Sequence, residues 1–591
     1  MTAAATTTGP WRKHTAPVYQ PVHQNQEDES VPVPPGPGPG GPSDAEQRHL
    51  RLAVYLLAPC LGLLAVFNLF QLFPASDRAA ATCPCKPSKV PQYFQTSPEL
   101  WAGPTATGSP AFLAETMSWT PTNAYVPNQP LQTTVPVRGM APADQSIFRL
   151  MGYLSPYAPS PGFGVDEYPL PEGADIVQLQ MLSRHGSRYP TVGSKVEMLA
   201  QRLANASTDF TPKGPLAFLK HWKYQLGSEI LVPNGRQELF QSGVLHSYMY
   251  GALYNPKSKI IVRTTANRML KSAENWLAGF FGLEWANNAT IEVIIEQDGF
   301  NNSLSGTLNC PNAYPKSTGA DARDEWARNY LKNATARFQN FTEGFVWTAD
   351  DVYSAQTMCP YETVAYGSSK FCDLFTYDEW KSFAYSIDLY FAGSSAFHSP
   401  TGRAVGLGYQ QEIVARLKNH TLGYSGSQIN VTLDSSTETF PLNQSLYLDF
   451  SHDTNIVSIL TALGLVQLVE DLPVTGPPPQ DRVFNVGNIT PFGARLDIEI
   501  IRTPRPLSPD RTGYDDQGGE TRYVHFLLNQ RTLPLGKSFP ECDDRRKDGW
   551  CELGAFLKVQ DGMADRAKFD FACFGDYPRL PYGEVKDGAP P

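Results

Sequence analysis

Residues Met181–Thr191 read M-L-S-R-H-G-S-R-Y-P-T, placing Arg184 and Arg188 on either side of His185. A histidine is a candidate nucleophile, and guanidinium forks match phosphate oxygens in both geometry and charge. Gly186 allows backbone to come close to a ligand. A solvated basic turn is the bland alternative. Five fixed residue types within seven positions should arise by chance only about once in several thousand chains of this length. The surrounding elements must therefore decide.

Those elements form a pattern. Ile176–Leu182 has the length and apolar bias of a buried strand, and Val196, Leu199, Ala200 and Leu203 recur at helical spacing after it. The histidine motif thus falls between the end of a strand and the start of a helix. Ligands bind at the carboxyl ends of strands in open α/β sheets, and helix amino-termini favour anions. The plan recurs at Lys259–Arg263, followed by a helix through Leu270, Ala273, Leu277 and Phe281, with Arg263 and Arg268 at the junction. It recurs again at Ser445–Phe450, where Ser451-His452-Asp453-Thr454 leads into a helix through Ile456, Ile459, Leu460 and Leu463, with Gly464 placed to cap it. Three strand–turn–helix units place arginine, histidine and aspartate where strands end. Between them, residues 310–420 read mostly helical, with helices expected over Asp321–Phe338, Asp378–Phe391 and Tyr409–Leu417. Further strands are expected at Ala494–Ile501 and Thr521–Leu528.

The formal charge of -10 over 591 residues argues against a nucleic-acid partner. The nine cysteines form no zinc-like array, since Cys83-Pro-Cys85 is too tight and nothing answers it. Leu52–Phe73 carries no charge across 22 residues, enough to span a bilayer as a helix. Too many polar residues precede it for the n-region of a cleaved signal peptide. Sequons begin at Asn205, Asn288, Asn301, Asn333, Asn340, Asn419, Asn430, Asn443 and Asn488, all on the carboxyl side of that span. The expected layout is a polar, proline-rich cytosolic tail over 1–51 and a signal anchor over 52–73. A Pro/Ser/Thr-rich stalk over 74–140, a catalytic body over 141–578 with a helical insertion at about 310–420, and a tail over 579–591 follow. This makes a single-pass type II membrane protein with a lumenal or extracellular body.

On these residues the chain resembles the histidine acid phosphatases, more closely their phytase-like branch. R-H-G-S-R-Y-P at Arg184–Pro190 is similar to the family's amino-terminal R-H-G-x-R-x-P signature, and His452-Asp453 to its carboxyl-terminal His-Asp signature. Weaker echoes are L-V-P-N-G-R-Q-E-L-F-Q-S-G from Leu231, F-N-N-S-L from Phe300, Y-Q-Q-E-I-V-A-R-L from Tyr409 and P-F-G-A-R from Pro491. The likeness runs from about residue 92 to 578. It implies an α/β fold of the phosphoglycerate-mutase type, a mixed sheet flanked by helices with an inserted helical domain. It implies His185 as nucleophile, forming a phosphohistidine, and Asp453 as proton donor to the leaving oxygen. Arg184, Arg188, a third arginine and His452 would hold the phosphate. It also implies the disulfides Cys310–Cys573, Cys359–Cys372 and Cys542–Cys551, and a phosphate monoester as substrate with no cofactor and no metal. Because Asp453 must start protonated, an acidic optimum is expected.

Two departures bear on the site. The family's third arginine lies in a pattern like R-x-[ST]-x-x-x-R-x-x-x-S, and Arg263 to Arg268 is one residue shorter. Arg268 keeps its spacing to Ser272 and is preferred, with Arg263 the runner-up. Phytases usually carry lysines just after the first signature, whereas Val192–Glu197 offers only Lys195, itself readable as a solvated helix-start residue. A broad acid phosphatase is therefore favoured over a dedicated phytase. A phosphoglycerate-mutase-like phosphotransferase and a non-catalytic surface glycoprotein keeping the fold are the competing readings. Oligomeric state and the roles of Cys83 and Cys85 stay open.

Overall fold

In a computed structural model, the described residues are 135–591 apart from 142–145, 207–208, 266 and 425. The anchor at 52–73, the amino-terminal tail, most of the stalk, and Cys60, Cys83 and Cys85 lie outside them. Among the described residues no helix is long and apolar enough to cross a membrane.

An eight-stranded mixed sheet carries the site. Its strands are β1 (Asp175–Arg184), β2 (Ile260–Thr264), β3 (Ala289–Val293), β4 (Leu446–Ser451), β5 (Arg495–Thr503), β6 (Thr521–Leu528), β7 (Arg531–Thr532) and β8 (Cys551–Glu552). They run in the order β8-β6-β5-β1-β4-β2-β3, with β7 paired to β6. Strands β1, β4, β2 and β3 are mutually parallel, and β5 joins β1 antiparallel. The second half of β1 and all of β4 are buried. Both strands are mostly apolar because helices cover both faces of the sheet, with Gln180 and the ion-paired Asp449 as buried exceptions.

One face is closed by α2 (Pro233–Tyr250) and α3 (Arg268–Phe281). Leu239, Tyr250, Trp276, Leu277 and Phe280 pack there on Leu179, Met181, Val262, Leu448 and Phe450. The other face joins the main core, which runs into α8 (Gly402–Lys418), α9 (Asp453–Ala462) and the helical insertion. The insertion contains α4 (Gly319–Tyr330), α5 (Lys332–Asn340), α6 (Ala349–Tyr366) and α7 (Tyr377–Ser394). Capping boxes start α6 at Thr348/Asp351 and α7 at Thr376/Glu379, each satisfying two otherwise orphaned amides. α1 (Lys195–Ala204) bridges the first strand to this region.

The expected helix Asp321–Phe338 is two helices that part at Leu331. The helix expected from Tyr409 begins seven residues earlier, at Gly402. Glycines made that first turn look unhelical. Gly406 is needed because a Cβ there would stand 2.2 Å from the Ser458 carbonyl oxygen of α9. The body also extends past both expected ends. Val135 and Val137, placed in the stalk, are buried in the main core. The expected tail from 579 packs too. Gly588 N–H donates to Phe397 O at 2.8 Å, and Arg403 Nη2 meets Asp587 Oδ1 at 2.5 Å. The disulfides are Cys310–Cys573, Cys359–Cys372 and Cys542–Cys551.

Candidate active site

Register brings the two signatures together. Arg184 of β1 lies level with Ser451 of β4, so the residues one step beyond, His185 and His452, leave the sheet side by side. Their ring centroids are 6.3 Å apart in an edge-on arrangement. His452 caps α9 and Asp453 is its first residue, while Arg268 opens α3. The sheet end and two helix starts thus deliver Arg184, His185, Arg268, His452 and Asp453.

The turn after β1 is held by close contact with the start of α2. Backbone bonds pair the two segments: Val232 N–H donates to Ser187 O at 3.0 Å and Tyr189 N–H to Ile230 O at 3.0 Å. A Cβ on Gly235 would lie 2.0 Å from Ser187 O, and one on Gly186 would lie 2.3 Å from Gly235 O, so neither position tolerates a side chain. Glu238, one turn further along α2, accepts from Ser187 N–H and Ser187 Oγ, both at 2.8 Å, and from Tyr157 N–H at 3.2 Å. Sequence reasoning missed Glu238. Its only signal was its place in the echo from Leu231.

His185 is buried, and its Nδ1 lies 2.9 Å from Gly186 O. A carbonyl only accepts, so Nδ1 carries the proton and Nε2 keeps its lone pair. Burial first, and then the charges of Arg184, Arg268 and Arg188, hold its pKa well below the usual histidine range. The imidazole therefore stays neutral in acid.

Arg184 is fully buried. Nη1 donates to Tyr153 O at 2.5 Å and to Thr490 O at 3.1 Å, while Nη2 pairs with Asp453 Oδ2. Its guanidinium lies 4.6 Å from the Phe492 ring centroid. Arg188 donates to Tyr189 O at 2.8 Å and, among the described residues, has no carboxylate in ion-pair contact. Arg268 pairs with Glu229 at 2.7 Å, and burial, then repulsion from Arg188, lowers its pKa to about 10. The Nε of all three arginines is buried without a hydrogen-bond partner among the described residues. Three guanidiniums surround His185; Arg184 pairs with Asp453 and Arg268 with Glu229, while Arg188 feels Asp453 and Glu229 only at a distance. Buried N–H groups left unpaired in this way suit an anion whose oxygens would complete them.

Asp453 is nearly buried. Burial alone would raise its pKa, but the charges of Arg184, Arg188 and His452, with the Thr454 N–H donating to Oδ1 at 2.8 Å, outweigh it and leave the carboxyl below its ordinary range. His452 Nε2 lies 2.6 Å from Glu296 Oε1, off the line of a good hydrogen bond. Burial would push the Glu296 carboxyl up, but His452, Thr265 and Arg268 bring it down to about 2. Glu229, Glu238 and Glu296 thus fix three site elements, and none had a sequence signature of its own.

Arg263, the runner-up for the third arginine, is elsewhere. It is buried behind the sheet end, bonded to Asp449 at 3.0 Å, Asp434 at 3.2 Å and Glu412. Arg416 and Tyr409 complete the cluster on Asp449. Burial, and then the neighbouring Glu412, push Asp434 up to about 8. Replacing Arg263 by alanine strands buried carboxylates. We expect a loss of about 3–5 kcal/mol in urea unfolding with an unchanged KM for substrate. Lys195 is half-exposed and paired with Asp350 at 3.2 Å and Asp324 at 3.7 Å. Among the described residues no group of three or more His, Cys, Asp or Glu suits a metal ion.

Residues 175–529 match the model of the histidine phosphatase superfamily, branch 2. The chain belongs to that superfamily. It is a phosphomonoesterase of the histidine acid phosphatase, phytase-like type. It is 33% identical over 408 residues to phytase A of Aspergillus fumigatus, covering 66% of this chain and 83% of that one. It is 31% identical over 442 residues to phytase A of Aspergillus oryzae, covering 70% and 89%. The crystal structure of the phytase from D. castellii superposes with a TM-score of 0.59 at 26% identity, over 74% of this chain and 89% of that one. The mixed sheet with flanking helices agrees with that fold.

Proposed function

We propose that this enzyme hydrolyses phosphate monoesters, phytate included, through a phosphohistidine on His185. The observation that carries the reading is the ring of three guanidiniums with unpaired buried Nε–H groups around a histidine whose Nε2 lone pair is free. Phosphoryl transfer needs positioning and charge neutralisation above all, and Arg184, Arg188 and Arg268 supply both, with His452 as a further contact. Nε2 of His185 attacks phosphorus, the bond to the ester oxygen breaks, and that oxygen takes the proton of Asp453. Water then attacks the phosphohistidine and gives its proton back to Asp453. The N–P bond breaks and inorganic phosphate leaves.

Asp453 meets its proton through the substrate. Unliganded, it is held ionised by Arg184 and Arg188. A phosphate dianion draws on the same guanidiniums and adds its own negative charge, so binding raises the Asp453 pKa toward an acid optimum. The test is phosphate release by the full-length protein from p-nitrophenyl phosphate and phytate between pH 3 and 9. We expect turnover near pH 5 that falls toward neutrality. A rate still climbing from pH 6 to pH 9 would contradict the assignment.

We also infer that Leu52–Phe73 anchors the enzyme as a type II membrane protein with its catalytic body in a lumenal or extracellular space. The three disulfides suit an oxidising compartment, and the sequon residues Asn205, Asn333, Asn340, Asn419 and Asn443 are exposed. The full chain should stay in the membrane pellet after alkaline carbonate washing and gain mobility on endoglycosidase treatment. Complete release into the wash would rule out the span.

A further inference from the structure

Beside the phosphate site lies a cavity of about 220 Å³ whose lining includes Tyr153, Tyr353, Tyr361, Phe383, Ile387 and Tyr390. The Tyr153 hydroxyl is within electrostatic reach of Asp453, Arg188 and Tyr361, and that of Tyr390 within reach of Asp453. Tyr153 also gives its carbonyl to Arg184. Tyr153 and Tyr390 thus lie near enough to Asp453 to meet the carbon skeleton of an ester whose oxygen it protonates.

The cavity's charge is already spoken for. Its two cations are Lys195 and Arg323. Lys195 is paired with Asp350 and Asp324, and Arg323 with Asp324 at 2.7 Å, while the Arg323 guanidinium lies 5.3 Å from the Tyr390 ring centroid. Burial keeps the phenols of Tyr153, Tyr353 and Tyr390 neutral. The volume falls below the about 300–1,000 Å³ of pockets that enclose drug-sized ligands and suits a single ring.

We propose that this cavity is the leaving-group site, and that it selects monoesters of aromatic alcohols and phenols over polyanionic esters such as phytate. The inference rests on the phosphatase reading above. It adds a specificity determinant, Tyr361 of α6, and an electrostatic one, the Asp350 and Asp324 carboxylates that neutralise Lys195.

The test compares benzyl phosphate with ethyl phosphate, whose alcohols are similar in acidity and differ in the ring, with phytate as the polyanion. We expect kcat/KM for benzyl phosphate to exceed that for ethyl phosphate by about tenfold or more, the scale on which apolar pockets discriminate. Tyr361→Ala should remove most of that preference by raising KM for benzyl phosphate, with ethyl phosphate little changed, and Tyr361→Phe should restore it. Asp350 is exposed, so Asp350→Asn keeps the fold. By leaving Lys195 only its longer contact with Asp324, it should raise kcat/KM for phytate about threefold or more. Equal kcat/KM for benzyl and ethyl phosphate, or wild-type kcat/KM for phytate at or above that for benzyl phosphate, would overturn the inference and leave the phosphatase reading intact. Failure to hydrolyse any of the three would overturn both.

Discussion

Replacing His185 by alanine should lower kcat by on the order of 10⁴-fold or more, because removing a nucleophile from a concerted site leaves only binding and charge stabilisation. The fold should survive, since the turn is fixed by Glu238 and by the Gly186–Gly235 approach, and not by the imidazole. The variant should still bind inorganic phosphate, because Arg184, Arg188 and Arg268 remain and the imidazole brings no positive charge of its own at working pH. The check is kcat for p-nitrophenyl phosphate at pH 5 together with a phosphate-binding isotherm. A variant that binds phosphate and turns over like the wild type would remove His185 from the chemistry.

Asp453→Asn should cost about 10²–10⁴-fold in kcat on alkyl esters, the usual worth of a positioned general acid. The loss should be much smaller for p-nitrophenyl phosphate, whose leaving oxygen needs little protonation. Asparagine keeps the contact with Arg184 but has no proton to give. The pH profile separates this from simple misfolding. In the wild type, kcat should fall as pH rises through the Asp453 pKa of the complex, and in the variant that alkaline limb should flatten. The acid limb should come from His185, whose burial and arginine neighbours hold its pKa well below the usual histidine range. An unchanged alkaline limb in Asp453→Asn would assign the proton to another group.

What could be read from the sequence followed from local rules. Apolar runs gave β1, β2 and β4, and the charged residues just after them fell into the site because parallel strands in register end together. Helices that bury polar groups, or are buried nearly throughout, were harder. α2 turns Ser242 and His246 inward as well as Leu239, and α6 is buried almost throughout and carries Pro360, so neither shows the one-sided apolar period that marks an amphipathic helix. The choice between Arg263 and Arg268 turned on distant partners. Asp449, Glu412 and Asp434 take Arg263 into the interior, and no spacing within its own segment shows that. Lys195 was ambiguous for the same reason, since its two aspartates lie far along the chain. The supporting carboxylates Glu229, Glu238 and Glu296 are set by tertiary contacts alone.

The central claim is covalent, and trapping the intermediate tests it most directly. Enzyme mixed rapidly with a ³²P-labelled aryl phosphate and quenched in alkali should carry a label that is stable to base and lost in acid, as a phosphoramidate is. Peptide mapping should place it on His185, and the His185→Ala protein should carry none. Label on another residue, or full turnover with none on His185, would contradict the account.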